Sequence, residues 1–271
     1  MTRPHTEPTR PTGPTEFTRT FAAADGTLLP LHVFSPPGRA RAALLLFHGG
    51  GWMIGSPAMF FPQARALAQA GILTASAGYR LVGAGADSPL DCMADAENAD
   101  RLFRTVAADA GLASIGVGGG SAGGQLALSL AASPARAYSS LVLFNPALDA
   151  CCEGAAIAEL LKVSPQQARA FSPLHQVRPG MPPTVMFHGT DDRLVPIALA
   201  RRFRRLMTDA GTECELVEFP GAGHGFFNHD PNGNPAYDDV LGRTRAHLLR
   251  TAGEEGRDRP RSAAELDPDV A

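Results

Sequence analysis

Short, continuous apolar runs alternate along this chain with longer segments in which apolar residues recur every three or four positions. The continuous runs predict strands buried on both faces, which is typical of a parallel sheet. Two earlier segments, 17–22 and 28–34, flank the turn pair Asp25-Gly26 and predict a hairpin. The remaining predicted strands span residues 42–47, 72–76, 114–117, 141–144, 184–187 and 214–219.

The segments with helical periodicity lie between these runs. Pro89 suits the first turn of the longest one, and Gly71, Gly111 and Gly211 each follow the end of a predicted helix. The predicted helices span residues 62–70, 89–110, 125–132, 196–210 and 237–251. Strands alternating with helices after an opening hairpin predict an α/β fold, with a mostly parallel, doubly wound sheet of about eight strands and helices on both faces.

The predicted organisation is a single domain over residues 16–252. Residues 1–15 are rich in proline and threonine, and residues 253–271 are charged and contain prolines, so both are expected to be disordered. Residues 145–183 interrupt the alternation and are too long for an ordinary connection, with helix-like pieces at 155–162 and 165–170. We expect this segment to form a small lid; a surface excursion without a role is the alternative.

Composition excludes several classes of protein. The net charge of −3 and the lack of a basic stripe argue against nucleic-acid binding. No stretch reaches membrane-spanning length and no apolar signal region opens the chain, so we expect a cytoplasmic protein without a membrane span. The four cysteines show no metal-ligand spacing, and neither a metal nor an organic cofactor is expected. No residue in the sequence requires an oligomer, and a homodimer is an alternative to a monomer.

One segment carries the strongest chemical signal. Gly119-x-Ser121-x-Gly123 follows a predicted strand and precedes a predicted helix. This is the context of a nucleophile elbow, in which a tight turn holds a serine at the top of a parallel sheet. Ser121 is therefore predicted to be a covalent nucleophile, which indicates a hydrolase or an acyltransferase.

Later strands end in the residues that such a serine needs. A base must take the hydroxyl proton, and a carboxylate must orient that base. One predicted strand runs into Asp191 and Asp192, and the next runs into His224, which is the order expected after the serine in such a sheet. These groups are therefore expected at the sheet edge that carries Ser121.

An oxyanion intermediate needs hydrogen-bond donors as well. The strand at 42–47 runs into His48 and then three glycines, whose backbone N–H groups are unobstructed by side chains. The Ala122 N–H, at the start of the helix after the elbow, is a further candidate.

Four motifs together resemble the α/β-hydrolase fold and, within it, the group of hormone-sensitive-lipase-like and acetyl-esterase-like enzymes. The resemblance covers about residues 17–250 and implies that Ser121, Asp192 and His224 form a catalytic triad. Asp192 is favoured over Asp191 because it takes the fifth position of the family's His-Gly-x-x-Asp. The implied oxyanion hole consists of Gly50, Gly51 and Ala122. The motifs are His48-Gly-Gly-Gly-Trp52, Gly119-Gly-Ser-Ala-Gly-Gly124, His188-Gly-Thr-Asp-Asp-Arg-Leu-Val-Pro196 and Gly223-His-Gly-Phe226.

Some features depart from the commoner pattern of that group. Few residues precede His48, where hormone-sensitive-lipase-like enzymes usually carry a long cap. Gly120 stands before the serine where aspartate is commoner, and Gly78 precedes Tyr79-Arg80 where an acidic residue is frequent. These departures favour a short, capless esterase that acts on small esters or decorated carbohydrates.

The predicted function is that of a serine carboxylesterase, which hydrolyses a small or medium, acetyl-ester-like carboxylic ester through an acyl-enzyme intermediate. An amidase or arylformamidase-like hydrolase, or an acyltransferase, would use the same triad. A non-catalytic hydrolase-fold receptor is a more remote alternative, because such proteins typically lose a triad member and none is lost here.

Five more side chains near these motifs have predicted places. His48 and His188 are expected to brace their loops through ring nitrogens rather than to act as acids or bases. Trp52 and the pair Phe226–Phe227 are candidates for lining the substrate pocket, with ordinary packing as the equal alternative.

Overall fold

The computed structural model describes residues 13–151 and 163–255. An eight-stranded sheet forms its centre, with the order β1-β2-β4-β3-β5-β6-β7-β8. The strands are β1 (Thr15–Ala22), β2 (Leu28–Ser35), β3 (Ala42–Phe47), β4 (Ile72–Ala77), β5 (Gly116–Gly120), β6 (Ser140–Phe144), β7 (Thr184–Gly189) and β8 (Cys214–Phe219).

The sheet is mostly parallel, as predicted. β1 pairs antiparallel with β2, and β2 pairs antiparallel with β4, whereas the other six strands run parallel to one another. The carboxyl ends of these six strands therefore lie along one edge, where ligands bind in open α/β sheets.

Six α-helices lie in the described residues and pack around the sheet. They are α1 (Phe61–Gln69), α2 (Pro89–Asp109), α3 (Ala122–Ala132), α4 (Pro165–Phe171), α5 (Ile197–Asp209) and α6 (Pro235–Glu255). Short 3₁₀ helices at Pro57–Phe60 and Pro173–His175 precede α1 and follow α4. No helix within residues 13–151 and 163–255 combines the length and apolar character needed to cross a membrane.

Alternate residues of the central strands face two separate cores. Leu45 of β3 lies in the core that α2, α3 and α5 cover, together with Phe103 and Phe203. Leu44 and Leu46 lie in the opposite core, which α1 and α6 cover. Burial on both faces explains why β3 is a continuous apolar run.

One predicted strand was misplaced. The sequence predicted it over 114–117, but β5 runs through Gly116–Gly120. All five residues are buried and pair with β6, and four of them also pair with β3. Glycine runs have low strand propensity, so sequence reasoning ended the strand too early. The backbone hydrogen bonds of a central strand outweigh that preference here.

Parts of three predicted segments lie outside the described residues. These are the helix-like piece at 155–162, most of the predicted N-terminal arm and most of the predicted C-terminal tail. Helix α6 extends to Glu255, past the predicted end of the domain at residue 252.

Candidate active site

Ser121 stands between β5 and α3 in a strained turn. Its backbone adopts φ 50° and ψ −117°, an uncommon conformation for a residue with a side chain. A Cβ on Gly123 would lie 2.1 Å from the Phe47 carbonyl oxygen, so only glycine allows α3 to start this close to β3. The Ser121 N–H donates to the Phe144 carbonyl at 2.9 Å, which ties the turn to β6.

Asp192 and His224 are joined by a short hydrogen bond after β7 and β8. The distance from His224 Nδ1 to Asp192 Oδ2 is 2.7 Å. The other carboxylate oxygen, Oδ1, accepts from the Leu194 and Val195 N–H groups, each at 2.9 Å. Burial acts to raise the pKa of Asp192, but these hydrogen bonds outweigh it and hold the pKa below the ordinary value. A charged carboxylate is thus fixed against the imidazole and selects the tautomer protonated at Nδ1.

The residues beside this pair have other partners. Asp191 is exposed and accepts from the Thr190 hydroxyl at 3.2 Å, so the structure brings Asp192 and not Asp191 to His224. The His188 Nε2 lies 2.8 Å from the Val195 carbonyl oxygen. Burial lowers the pKa of His188 despite that bond, which keeps its ring neutral.

The glycine loop after β3 faces Ser121. Gly50 has φ 113°, and a Cβ there would lie 2.0 Å from the Ile54 carbonyl oxygen. The Gly50 carbonyl accepts from the N–H groups of Met53 and Ile54, which folds the loop back on itself. Among the hydrogen bonds of the described residues, none uses the N–H of Gly50, Gly51 or Ala122. All three remain donors for a ligand.

Residues behind this loop hold it in place. The His48 Nδ1 lies 2.7 Å from the Gly49 carbonyl oxygen, and the His48 ring stacks on Tyr79 at 4.2 Å. The Tyr79 hydroxyl donates to the His48 carbonyl at 2.8 Å. Arg80 in turn forms a buried two-pronged pair with Asp95 on α2, at 2.9 and 3.0 Å. Burial lowers the pKa of His48, so this ring braces the loop in its neutral form.

A cavity of about 80 Å³ opens over Ser121. Its lining includes Gly50, Ser121 and His224, together with an apolar wall formed by Met59, Phe60 and Phe227. Among the described residues, no hydrogen bond joins the Ser121 hydroxyl to His224. Such bonds are often long in enzymes without substrate and shorten when substrate binds.

The structure corrects the predicted aromatic lining. Trp52 is buried and packs against Phe171 of α4 with ring centroids 5.4 Å apart, away from the cavity lining. Phe226 packs against Phe219 at the end of β8, at 4.6 Å. Its neighbour Phe227, the other member of the predicted pair, lines the cavity. Neighbouring loop side chains point in different directions, which the order of residues alone does not settle.

Asn145 is a site residue that sequence reasoning missed. It directly follows β6, adopts φ 33°, is fully buried and lines the cavity. Its side-chain Nδ2 lies 3.0 Å from His224 Nδ1 and 3.2 Å from Nε2, and its Oδ1 is buried without a hydrogen-bond partner. The available signal was an Asn-Pro pair directly after a buried strand, because asparagine tolerates the left-handed region and marks turns.

The described part of the predicted lid packs behind the elbow. Gln125 of α3 donates to the Phe171 carbonyl at 2.9 Å, and the Ser129 hydroxyl donates to Gln176 at 3.2 Å. Asn145 is the one cavity-lining residue from the described part of 145–183. A lid role for this segment stays a prediction.

A second group of polar side chains lies in the same segment. Asp149, Cys151 and His175 place a carboxylate oxygen, a sulfur and a ring nitrogen within 4.8 Å of one another. The Cys151 Sγ lies 3.3 Å from His175 Nε2. Asp149 Oδ1 accepts from the Cys151 N–H at 2.9 Å and from the Ser172 hydroxyl at 3.2 Å. These three ligand types can hold a zinc-like cation, although their spacing in sequence did not suggest it.

Comparisons with known proteins agree with this geometry. The family described as the alpha/beta hydrolase fold matches residues 44–228. A thermophilic esterase from Thermogutta terrifontis, Est2, solved with propionate bound, is 35% identical. That comparison covers 90% of this chain and 96% of the esterase, with a TM-score of 0.77. A form of the same esterase phosphonylated by sarin is 34% identical over 90% and 96% of the two chains, with a TM-score of 0.76.

A curated relative matches over a shorter stretch. Esterase LipC of Mycobacterium tuberculosis is 38% identical over 63 residues. This stretch spans 23% of the present chain and 16% of LipC.

Proposed function

The chain belongs to the α/β-hydrolase fold family, as an esterase-type hydrolase, and we propose that it hydrolyses small carboxylic esters through an acyl-enzyme on Ser121. The observation that carries this proposal is the 2.7 Å bond from Asp192 to His224 at the cavity that contains Ser121. An imidazole held in this way has its Nε2 lone pair free to act as a base.

Acylation begins when the Ser121 hydroxyl attacks the ester carbonyl and His224 takes its proton at Nε2. The carbonyl oxygen becomes an oxyanion, which the N–H groups of Gly50, Gly51 and Ala122 stabilise. Each such donor contributes about 3 kcal/mol to transition-state stabilisation. Asp192 stabilises the imidazolium because its charged carboxylate accepts from Nδ1.

The tetrahedral intermediate then collapses. The bond from carbon to the alcohol oxygen breaks, and His224 returns its proton to that oxygen, which leaves the acyl group on Ser121. His224 then takes a proton from water, which attacks the acyl carbon and forms a second oxyanion. The bond from carbon to Ser121 Oγ breaks, Oγ takes the proton from His224, and the acid leaves. These steps draw only on side chains and backbone groups of this chain.

Cavity size supports a small acyl group. A cavity of about 80 Å³ is smaller than the ~150 Å³ apolar cavity that accommodates benzene. Met59, Phe60 and Phe227 present an apolar wall beside Ser121, which suits a short alkyl chain. The similar Est2 has been solved with propionate and with butyrate bound, and we propose acyl groups of that size here.

A series of p-nitrophenyl esters of increasing acyl length tests this proposal. We expect kcat/KM to be highest for acetate to butyrate and to fall for longer chains, because the cavity is small and Phe227 forms part of its apolar wall. Phe227→Ala should extend the accepted length, whereas Phe226→Ala, a matched change in the neighbouring aromatic residue, should not. An enzyme that turns over none of these esters, or one that prefers long chains, contradicts the proposal.

Hydrolysis of amides and formamides, and transfer of the acyl group to an alcohol, would draw on the same residues. Measuring kcat/KM for an ester, a formamide and a peptide of matched acyl group separates them. The proposal requires the ester to be preferred.

A further inference from the structure

Asn145 occupies an unusual place beside the proposed base. Its side chain is fully buried, yet it lines the cavity and lies within 3.2 Å of both ring nitrogens of His224. Its backbone adopts φ 33°, a strained region that asparagine tolerates better than most residues. Strain and burial of a polar group both cost stability, and such costs concentrate at functional sites.

The distances to the two ring nitrogens of His224 fix where the Asn145 amide lies. Its Nδ2 is 3.0 Å from Nδ1 and 3.2 Å from Nε2, and an atom almost equally far from both nitrogens lies over the face of the ring. The in-plane lone pair of Nε2 points away from the ring and is therefore left for the Ser121 proton. Nδ1 donates to Asp192 at 2.7 Å and has no lone pair to offer Asn145.

The Asn145 amide is thus a buried donor beside the ring nitrogen that returns the proton. An oxygen that takes a proton from Nε2 comes within hydrogen-bond distance of that nitrogen, and Asn145 Nδ2 lies only 3.2 Å from it. The same oxygen is therefore within reach of the Asn145 N–H. Negative charge develops on this oxygen as its bond to carbon breaks, so a hydrogen bond to it is stronger in the transition state than in the ground state.

We propose that Asn145 binds the alcohol oxygen of the departing group, an inference that rests on the proposed esterase function. His224 Nε2 gives its proton to that oxygen as the carbon–oxygen bond breaks and its electron pair moves to the oxygen. The Asn145 Nδ2–H donates a hydrogen bond to the same oxygen and transfers no proton. This contact lowers the barrier most for alcohols that are poor leaving groups, because their oxygen carries the most charge.

The test compares ethyl acetate with p-nitrophenyl acetate in wild type and in Asn145→Gly. Glycine removes the amide and tolerates φ 33°. We expect kcat/KM for ethyl acetate to fall about 10- to 100-fold, the effect of losing a hydrogen bond to a charged group, with little change for the aryl ester. Because kcat/KM reports the steps up to departure of the alcohol, slow deacylation does not mask the effect.

Two further variants provide a second test of the Asn145 side chain and a control for its position in the cavity. Asn145→Asp keeps the shape and the turn preference but cannot donate when ionised, so it should also lose more activity on the alkyl ester. Asn228→Gly changes another cavity-lining asparagine and should alter both esters by the same factor. Thermal unfolding confirms that each variant is folded.

Equal losses on both esters in the two Asn145 variants, or no loss, would overturn the inference. Failure of the proposed function would instead appear in the wild type, as the absence of turnover of either ester.

Discussion

Two clusters in the described part of this molecule combine a nucleophilic atom, an imidazole and a carboxylate. Ser121, His224 and Asp192 meet at the carboxyl edge of the sheet, while the second cluster, Cys151, His175 and Asp149, lies in the segment after β6. In the first cluster, His224 Nδ1 lies 2.7 Å from Asp192 Oδ2. In the second, His175 Nε2 lies 3.3 Å from Cys151 Sγ.

The two clusters differ in the hydrogen bonds that their carboxylates accept. Asp192 accepts from the imidazole and so prepares a base. Asp149 accepts from the Cys151 N–H and the Ser172 hydroxyl, and so shapes a loop. The first cluster also lies beside free backbone donors and an apolar cavity. Residue type alone therefore does not identify a catalytic site; the direction of the hydrogen bonds and the neighbouring space do.

The largest expected difference between the clusters comes from removing each nucleophile. Ser121→Ala should lower kcat for p-nitrophenyl acetate by about 10⁵- to 10⁶-fold, since the remaining groups have no nucleophile to activate. Cys151→Ala should keep wild-type kinetics. Steady-state assays on both folded variants check this, and a comparable loss in Cys151→Ala would place chemistry in the second cluster.

Removing the charge of Asp192 is expected to lower kcat by a smaller but still large factor. Asp192→Asn keeps the shape but loses the charge that selects the Nδ1–H tautomer, so kcat should fall about 10⁴-fold. Asp191→Asn is the matched control, since the side chain of that exposed neighbour accepts only from the Thr190 hydroxyl in the described structure. If Asp192→Asn retains as much activity as Asp191→Asn, the carboxylate of Asp192 does not orient His224 in the way the geometry implies.

Removing the second carboxylate should affect stability rather than chemistry. Asp149→Ala removes the acceptor of the Cys151 N–H, while the Ser172 hydroxyl keeps its 2.7 Å bond to the Ala168 carbonyl, so the expected cost is about 1 kcal/mol. Urea unfolding measures the change in the free energy of unfolding, with kcat/KM of the folded variant as control. A stable variant with much lower activity would reverse the roles of the two clusters.

Buried histidines around the first cluster predict a modest dependence of stability on pH. Burial lowers the pKa of His48 and His188 below the ordinary value of 6.5, so the unfolded chain binds more protons just below that pH. The free energy of unfolding should therefore fall as pH decreases below about 6.5. Denaturation curves at several pH values in wild type and His188→Gln test this. The variant should show a shallower dependence, and identical slopes would contradict it.

Much of the site could be predicted because its residues sit in contiguous motifs at strand ends. The place of Gly123 beside Phe47 follows from strand–turn–helix order. The place of Asp192, three residues after β7 ends at Gly189, follows from parallel strands sharing an edge. The elbow strand itself was placed too early, because glycine content hid a strand that its neighbours stabilise.

The features that the sequence left open or missed depend on side-chain direction. Of the predicted pair, Phe227 and not Phe226 lines the cavity, and Trp52, with φ 61°, turns toward Phe171. Asn145 reaches His224 only because β6 and the loop after β8 converge in space, and the residues lie 79 positions apart. Neither hydrophobic periodicity nor motif spacing carries that information.

Covalent labelling tests the central claim most directly. The protein is treated with a fluorophosphonate, and the adduct is located by peptide mass spectrometry in wild type and in Ser121→Ala. The account predicts one stoichiometric adduct on Ser121 that is absent from the variant. Failure to label folded wild type, or an adduct on Cys151 or elsewhere that persists in Ser121→Ala, would contradict it.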